Sequence, residues 1–293
     1  VKKTHERSLM NLRQLRSFVA IAETGTLSAA ADAIGLSHSA VSLHVKALEE
    51  ELGVSLIDRS RRPPVLTDRG TALVSYGRRL ADLLDEMAAL GSEDELIGSI
   101  NAGVVPSAMT DLMPPALAKL RAQHPKLKVR IHTALSGDLA SLVRGGELDV
   151  AVSTAPKRSL DGLDVRGFVD EPLFVIAPRD VGEVPVEEIL ASLPFIWFSR
   201  KTWAGQQIEQ ALHDLGIVVR DDMEVDSLLA VTALVSHGLG VSVVPHHPRA
   251  PDFPETVVCL PFGEPQFTRQ LALLERPKNP KRRLTDALLA ALQ

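Results

Sequence analysis

Four short segments of this 293-residue chain place hydroxyls just after an apolar run, three of them where a helical pattern begins. Val105-Pro106-Ser107 and Ser136-Gly137 each follow such a run and open a helix. Ser153-Thr154 closes a third run, and Phe198-Ser199-Arg200 precedes a helix opened by Thr202. A serine at a helix start offers its hydroxyl beside free backbone N–H groups and the positive end of the helix dipole, which together favour an anion. In α/β sheets such loops gather at the carboxyl ends of strands, where ligands collect. Ser107 and Ser136 can instead act only as N-caps. Arg200 either pairs with an anionic ligand or is a solvated surface arginine.

A second set lies near the start of the chain. Ser37, His38, Ser39 and Ser42 stand at the beginning of a helical pattern, and Arg59, Arg61 and Arg62 occupy a turn before Pro63-Pro64. Short polar side chains at a helix start suit base edges in a major groove, and guanidinium groups reach phosphates or a minor groove. The plainer readings are helix capping for Ser37, a solvated turn for the arginines, and a structural carboxylate pair for Arg59.

Other chemistries find no support. There is no Gly-x-Ser-x-Gly elbow and no phosphate loop, and Gly238-Leu239-Gly240 lacks the third glycine of a dinucleotide site. His246-His247 has no third metal ligand in view. Cys259 is the only cysteine, which rules out a disulfide framework and a cysteine-based zinc site and fits a reducing compartment. No enzymatic activity, no metal and no cofactor are expected.

The elements that must position these residues fall into two patterns. Asn11 can cap a helix with Leu12, Leu15, Phe18, Val19 and Ala22 on one face, ended by Gly25. A second helix over 28–34 is alanine-rich and stops at Gly35. Ser37 caps a third through Val41, Val45 and Leu48, which completes a helix-turn-helix. Residues 54–57 and 65–67 read as two strands around the basic turn. Thr67 then caps a long helix with Leu73, Tyr76, Leu80, Leu83, Met87 and Leu90 at heptad spacing, a seam for a second copy or a face covered by its own domain.

After the polar break at 91–95 the pattern becomes α/β, with parallel sheets expected. Strands are expected at 100–105, 127–133, 149–153, 173–177, 195–198, 223–225, 241–244 and 257–260. Helices are expected at 111–123, 138–144, 203–215 and 228–237.

Net charge is −5, but it is unevenly spread. Residues 1–69 carry 10 Lys+Arg against 8 Asp+Glu, and the rest carries 22 against 29. A basic head on an acidic body is compatible with one end touching phosphates. The opening VKKTHERS has no apolar run behind it, so neither a secretory signal nor a membrane partner is expected.

The stretch LRQLRSFVAIAETGTLSAAADAIGLSHSAVSLHVKALEEELGVSLIDRS, followed by VLTDRG, resembles the DNA-binding domain of LysR-type transcriptional regulators. The likeness rests on the Phe18 helix, Ala29-Ala30, Ser37-x-Ser39-Ala40-Val41-Ser42, Leu48-Glu49 with Leu52-Gly53, and Leu66-Thr67-x-x-Gly70. It continues in Ile100-Asn101-Ala102-Gly103, Leu112-Met113-Pro114, the run Gly145 to Val152, and the run Gly238 to Pro245. The resemblance thus covers nearly the whole chain.

It implies a winged helix-turn-helix over 10–67, a dimerising linker helix over 68–92, and a two-lobed, periplasmic-binding-protein-like α/β effector domain over 97–293. The first lobe would hold 97–169 with 268–293, and the second 170–267. It implies double-stranded DNA with dyad symmetry, a small-molecule effector, a homodimer or homotetramer, and a cytoplasmic location. Ser39, Ser42 and neighbours, with Lys46 on the same helix, would face DNA. His38 stands where the family usually has Gln, and Leu43 where it usually has Arg or Gln, so an unusual operator is implied. Pro106, Ser107, Ser136, Ser153, Ser199 and Arg200 would meet the effector. A transport-type binding protein would lack the winged helix. An enzyme on the same scaffold would need one of the missing motifs.

Overall fold

The computed structural model describes residues 10–61, 63–89 and 96–293. The chain divides into two compact units, 1–91 and 92–293.

In the first unit, α1 (Leu12–Thr24), α2 (Leu27–Ile34) and α3 (His38–Leu52) are followed by a short hairpin of β1 (Ile57–Asp58) and β2 (Val65–Leu66), then by α4 (Asp68–Ala89). The caps are those the sequence suggests. The side chain of Asn11 accepts from the N–H of Arg13, Ser37 from Ala40, and Thr67 from Gly70. Gly70 must be glycine, because a Cβ there would lie 2.1 Å from the Leu56 carbonyl oxygen. That close approach locks α4 onto the start of the hairpin.

The core is Phe18, Ala30, Val41, Val45, Leu48 and Leu56, joined by Leu73 and Val74 from α4. The expected heptad seam therefore divides. Leu73 is buried in its own domain, whereas Tyr76, Leu80, Leu83 and Met87 are 63%, 38%, 51% and 59% exposed. Leu90, the last seam position, lies outside the described residues.

The second unit begins with β3 (Gly98–Val104), α5 (Pro106–Asp111), α6 (Met113–Gln123), β4 (Leu127–Thr133), α7 (Ser136–Gly145) and β5 (Val150–Thr154). One long strand, β6 (Asp164–Pro178), leads into α8 (Val186–Ser192), β7 (Pro194–Phe198), α9 (Trp203–Asp214), β8 (Arg220–Val225) and α10 (Leu228–Ser236). Then come β9 (Ser242–Pro245), β10 (Val257–Pro261), β11 (Thr268–Glu275) and α11 (Arg282–Leu292). Strands β3, β4 and β5 are parallel. Strand β11 is antiparallel to both β5 and β6, and β9 and β10 are antiparallel to β6. The sheet that spans the unit is therefore mixed, which corrects the all-parallel expectation.

Residues 164–172 of β6 pair with β11, and 173–178 pair with β9 and β10. The strand runs without a break through two separately packed regions. One core forms around Ile100, Val104, Leu139, Val152, Leu273 and Leu288. The other two clusters form around Phe195, Ile208 and Phe262, and around Ile176, Ile196 and Val231. These regions are the two lobes.

The helix expected over 111–123 is α6, and a separate short helix, α5, precedes it. Pro114 and Pro115 have no N–H to continue the α5 hydrogen-bond ladder, so the chain restarts as α6. The sequence reading placed no element over α8, β11 or α11.

Candidate functional site

In the first unit, α3 presents one polar face. Val41, Val45 and Leu48 point into the core, which leaves His38, Ser39, Ser42, Leu43 and Lys46 exposed on the other side. Ser37 caps the helix, and its Oγ lies 3.0 Å from that of Ser39. Leu43 is 65% exposed, a large apolar side chain with no core to join. Lys46 reaches Glu50 only at 3.7 Å between two solvated side chains, which holds it weakly.

The wing arginines differ from one another. Arg59 grips Glu49 through both terminal nitrogens, each 3.1 Å from Oε2. Glu49 also accepts from the N–H groups of Leu56 and Ile57 at 2.8 and 3.3 Å. Burial works to raise the Glu49 pKa, but these donors and the guanidinium together hold it below the usual carboxylate range. Arg59 thus ties the hairpin to α3, the structural role open to it from the sequence. Arg61 has only a 3.5 Å contact with Asp58 and is largely solvated. The Asp58 carboxyl is held below its usual range, first by Ser60. Arg62 lies outside the described residues.

In the second unit, several predicted residues converge between the lobes. Val105, not Ser107, is the N-cap of α5, and Leu135, not Ser136, is that of α7. Neither serine side chain caps its helix, so the plain capping reading of both falls. The Ser107 hydroxyl accepts from Nη1 of Arg269 at 3.0 Å. The Ser136 hydroxyl is buried and has no hydrogen-bond partner among the described residues. A small cavity of about 10 Å³ is lined by Pro106, Ser107, Ser136, Thr154 and Arg269, with Phe198 and Thr202 from the other lobe.

Sequence reasoning missed Arg269 and its partner Glu171. Both are 2% exposed; Nε and Nη2 of the arginine meet Oε2 at 2.7 and 2.6 Å. The available signal was a lone arginine where the strand TRQLALLE should bury its alternate positions, and a glutamate one residue before Pro172.

Other predicted positions stand apart. Ser153 is fully buried on β5, and its hydroxyl has no hydrogen-bond partner among the described residues, but it does not line the small cavity. Ser199 has a φ of 23°, and its carbonyl accepts from both the N–H and the Oγ1 of Thr202 at 3.0 and 2.8 Å. Gly205 makes room for that carbonyl: a Cβ there would lie 2.1 Å from it. Arg200 does not line the small cavity; it pairs with Asp221 and stacks 4.2 Å from the Trp197 ring. The Asp221 carboxyl is held below its usual range, first by Arg200 and then by the Trp197 N–H. Arg200 is therefore bound into its own lobe.

Burial pushes the Cys259 thiol up to about 11, so little thiolate forms near neutrality. Among the described residues, no cluster of His, Cys, Asp and Glu could hold a metal ion, and no helix is long and apolar enough to cross a membrane.

Comparison with known proteins covers both units. The family described as "Bacterial regulatory helix-turn-helix protein, lysR family" matches residues 12–71, and "LysR substrate binding domain" matches residues 93–293. The chain is 30% identical over 244 residues to a RuBisCO operon transcriptional regulator of Allochromatium vinosum, over 81% of this chain and 80% of that one. Among solved structures it resembles full-length CbnR in complex with its target DNA. That match has a TM-score of 0.70 at 22% identity and covers 97% of this chain and 99% of that one. A full-length OxyR variant of Pseudomonas aeruginosa gives a TM-score of 0.69 at 24% identity, over 97% and 95%.

Proposed function

Since this chain belongs to the LysR family of transcriptional regulators, we propose that it binds a dyad-symmetric operator through α3 and changes its DNA-bound state when a small organic anion enters the cleft between its two lobes. It is a regulator with a substrate-binding domain, not an enzyme. It works in the cytoplasm, where the DNA lies.

On the DNA side, Ser39, Ser42, His38 and Leu43 meet base edges, Leu43 through a thymine methyl. Ser37 starts the helix, Lys46 adds a phosphate contact, and Arg61 with Arg62 extends phosphate contacts from the wing. Arg59 braces the hairpin. The exposed apolar stripe on α4 supports pairing with a second copy, and two such dimers form a tetramer.

The observation that carries the effector site is the buried, unpartnered Ser136 hydroxyl lining the same cavity as Arg269. An unmade hydrogen bond on a buried hydroxyl costs about 1–3 kcal/mol, and an incoming acceptor relieves it. The start of α7 adds N–H donors and partial positive charge. A carboxylate there gains charge-assisted bonds worth roughly 1.5–3 kcal/mol each. Ser107 holds one corner of the Arg269 guanidinium toward the same space, so Arg269 takes the part expected of Arg200. The cavity of about 10 Å³ is a closed cleft, and an occupant must part the lobes to enter. A ligand with different contacts in the open and closed forms shifts that equilibrium.

The test is a thermal-shift screen of metabolite anions on the full chain, followed by titration of the best hit. Ser136→Ala should leave the free protein equally stable or up to about 1 kcal/mol more stable, because it deletes an unsatisfied group. It should also weaken the hit about tenfold. Ser107→Ala should weaken it too. An affinity unchanged in both variants would overturn the assignment.

A further inference from the structure

A second cavity, of about 510 Å³, adjoins the serine cleft and shares Ser107 and Arg269 with it. Its size falls within the usual range for small-molecule sites. One wall is the side of α10, with Leu228, Leu229 and Ala233; another carries Phe253 and Val244. The His246 ring packs between Phe253 and Phe174, at centroid distances of 4.6 and 6.0 Å, and makes that wall aromatic.

The charges left without an ion-pair partner among the described residues have one sign. Asp111, Glu171 and Asp252 line the cavity against the single guanidinium of Arg269. Glu171 and Arg269 neutralise each other in their buried pair. That leaves Asp111 and Asp252, for which the structure shows no ion pair among the described residues. His247 does not offset them. Burial holds its pKa down, and Nδ1 accepts from the Arg249 N–H at 3.1 Å, so the ring is neutral with its proton on Nε2. Nor does a helix dipole reverse the sign: α10 runs broadside along the cavity, and Ser227 already caps its start.

We infer that this cavity binds a protonated amine with an apolar or aromatic body, at a site distinct from the anion cleft beside it. The ammonium sits between Asp111 and Asp252. The body lies against α10 and Phe253, where a cation near an aromatic face gains further attraction. A carboxylate would meet two like charges there.

The test uses calorimetric titration of the intact protein with 2-phenylethylammonium and with 3-phenylpropionate, which share an aromatic body and differ in charge. The ammonium probe should bind at least about tenfold more tightly, a difference of ~1.4 kcal/mol. Asp111→Asn combined with Asp252→Asn should weaken it about tenfold. Ala233→Trp, an exposed helical position that faces the cavity, should block it by filling space without disturbing the core. Melting curves check that each variant is folded. The inference fails if the ammonium probe gives no heat at millimolar concentration, or if its affinity survives both the double variant and Ala233→Trp. It also fails if 3-phenylpropionate binding persists with Ser136→Ala and is lost with Ala233→Trp, because that places an anion in this cavity.

Discussion

Two arginine-bearing regions of this protein are built in opposite ways. On the hairpin of the first unit, Arg61 meets Asp58, three residues away along the chain, in solvent, while Arg59 clamps the mostly buried Glu49, ten residues away. In the second unit, Arg269 meets Glu171 from 98 residues away and Ser107 from 162 residues away, with almost no exposure. Arg61 thereby keeps its charge available to an outside polyanion that brings its own counter-charge. The second region stores charge inside, already balanced, where an incoming ligand can only re-partition it. A contact surface therefore tolerates removal of a residue in ways that an internal site does not.

The contrast can be broken most directly with matched arginine deletions. Arg269→Ala leaves Glu171 buried and unpaired, which costs about 3–5 kcal/mol and should lower the melting temperature of the second unit by roughly 10 °C. Arg269→Met with Glu171→Leu removes both charges and should restore most of that stability. If the single variant melts like wild type in calorimetry, the pair is not the buried strut described above.

Leu80→Asp comes next. If α4 pairs with a second copy, a carboxylate in the seam costs several kcal/mol. Light scattering should then show a smaller assembly with weaker operator binding. An unchanged assembly would mean that the exposed stripe on α4 is not the seam.

Arg61→Ala should be the mildest. Its Asp58 partner is solvated, so stability should change by less than about 0.5 kcal/mol. The slope of log affinity against log salt should fall by up to about 0.9, because one phosphate is no longer neutralised, and by the same amount for every DNA sequence. A change in which sequence is preferred would instead make Arg61 a base reader.

The same contrast decides what could be read from the sequence. The caps at Asn11, Ser37 and Thr67 and the core face of α3 depend on spacing within one helix, and they fell where the pattern put them. Ser107 and Ser136 were legible as strand-to-helix serines, and the structure brings them to one cavity. The strand directions were not legible, because β11 joins the sheet only by returning from the second lobe, and no local pattern records that return. Arg269 was hidden for the same reason. Within TRQLALLE it falls in phase with Leu271 and Leu273 on the buried side, and only β6 supplies the Glu171 that makes a buried charge tenable there. Arg200 looked available because its partner Asp221 comes from the neighbouring strand β8 of its own lobe, 21 residues away.

The continuity of β6 carries a mechanical consequence. The chain leaves the first lobe along β6 and comes back along β11, and these two crossings are hydrogen-bonded neighbours, with Pro172 opposite Thr268. Two adjacent struts joined side by side resist shear, stretching and sliding of the lobes, and yield most easily to a single twist about their common line. Relative movement of the lobes is thereby reduced to something close to one angle. Occupants of different shape, entering on either side of that axis, would all be converted into the same scalar output, and agents that turn the angle in opposite senses would compete without ever touching.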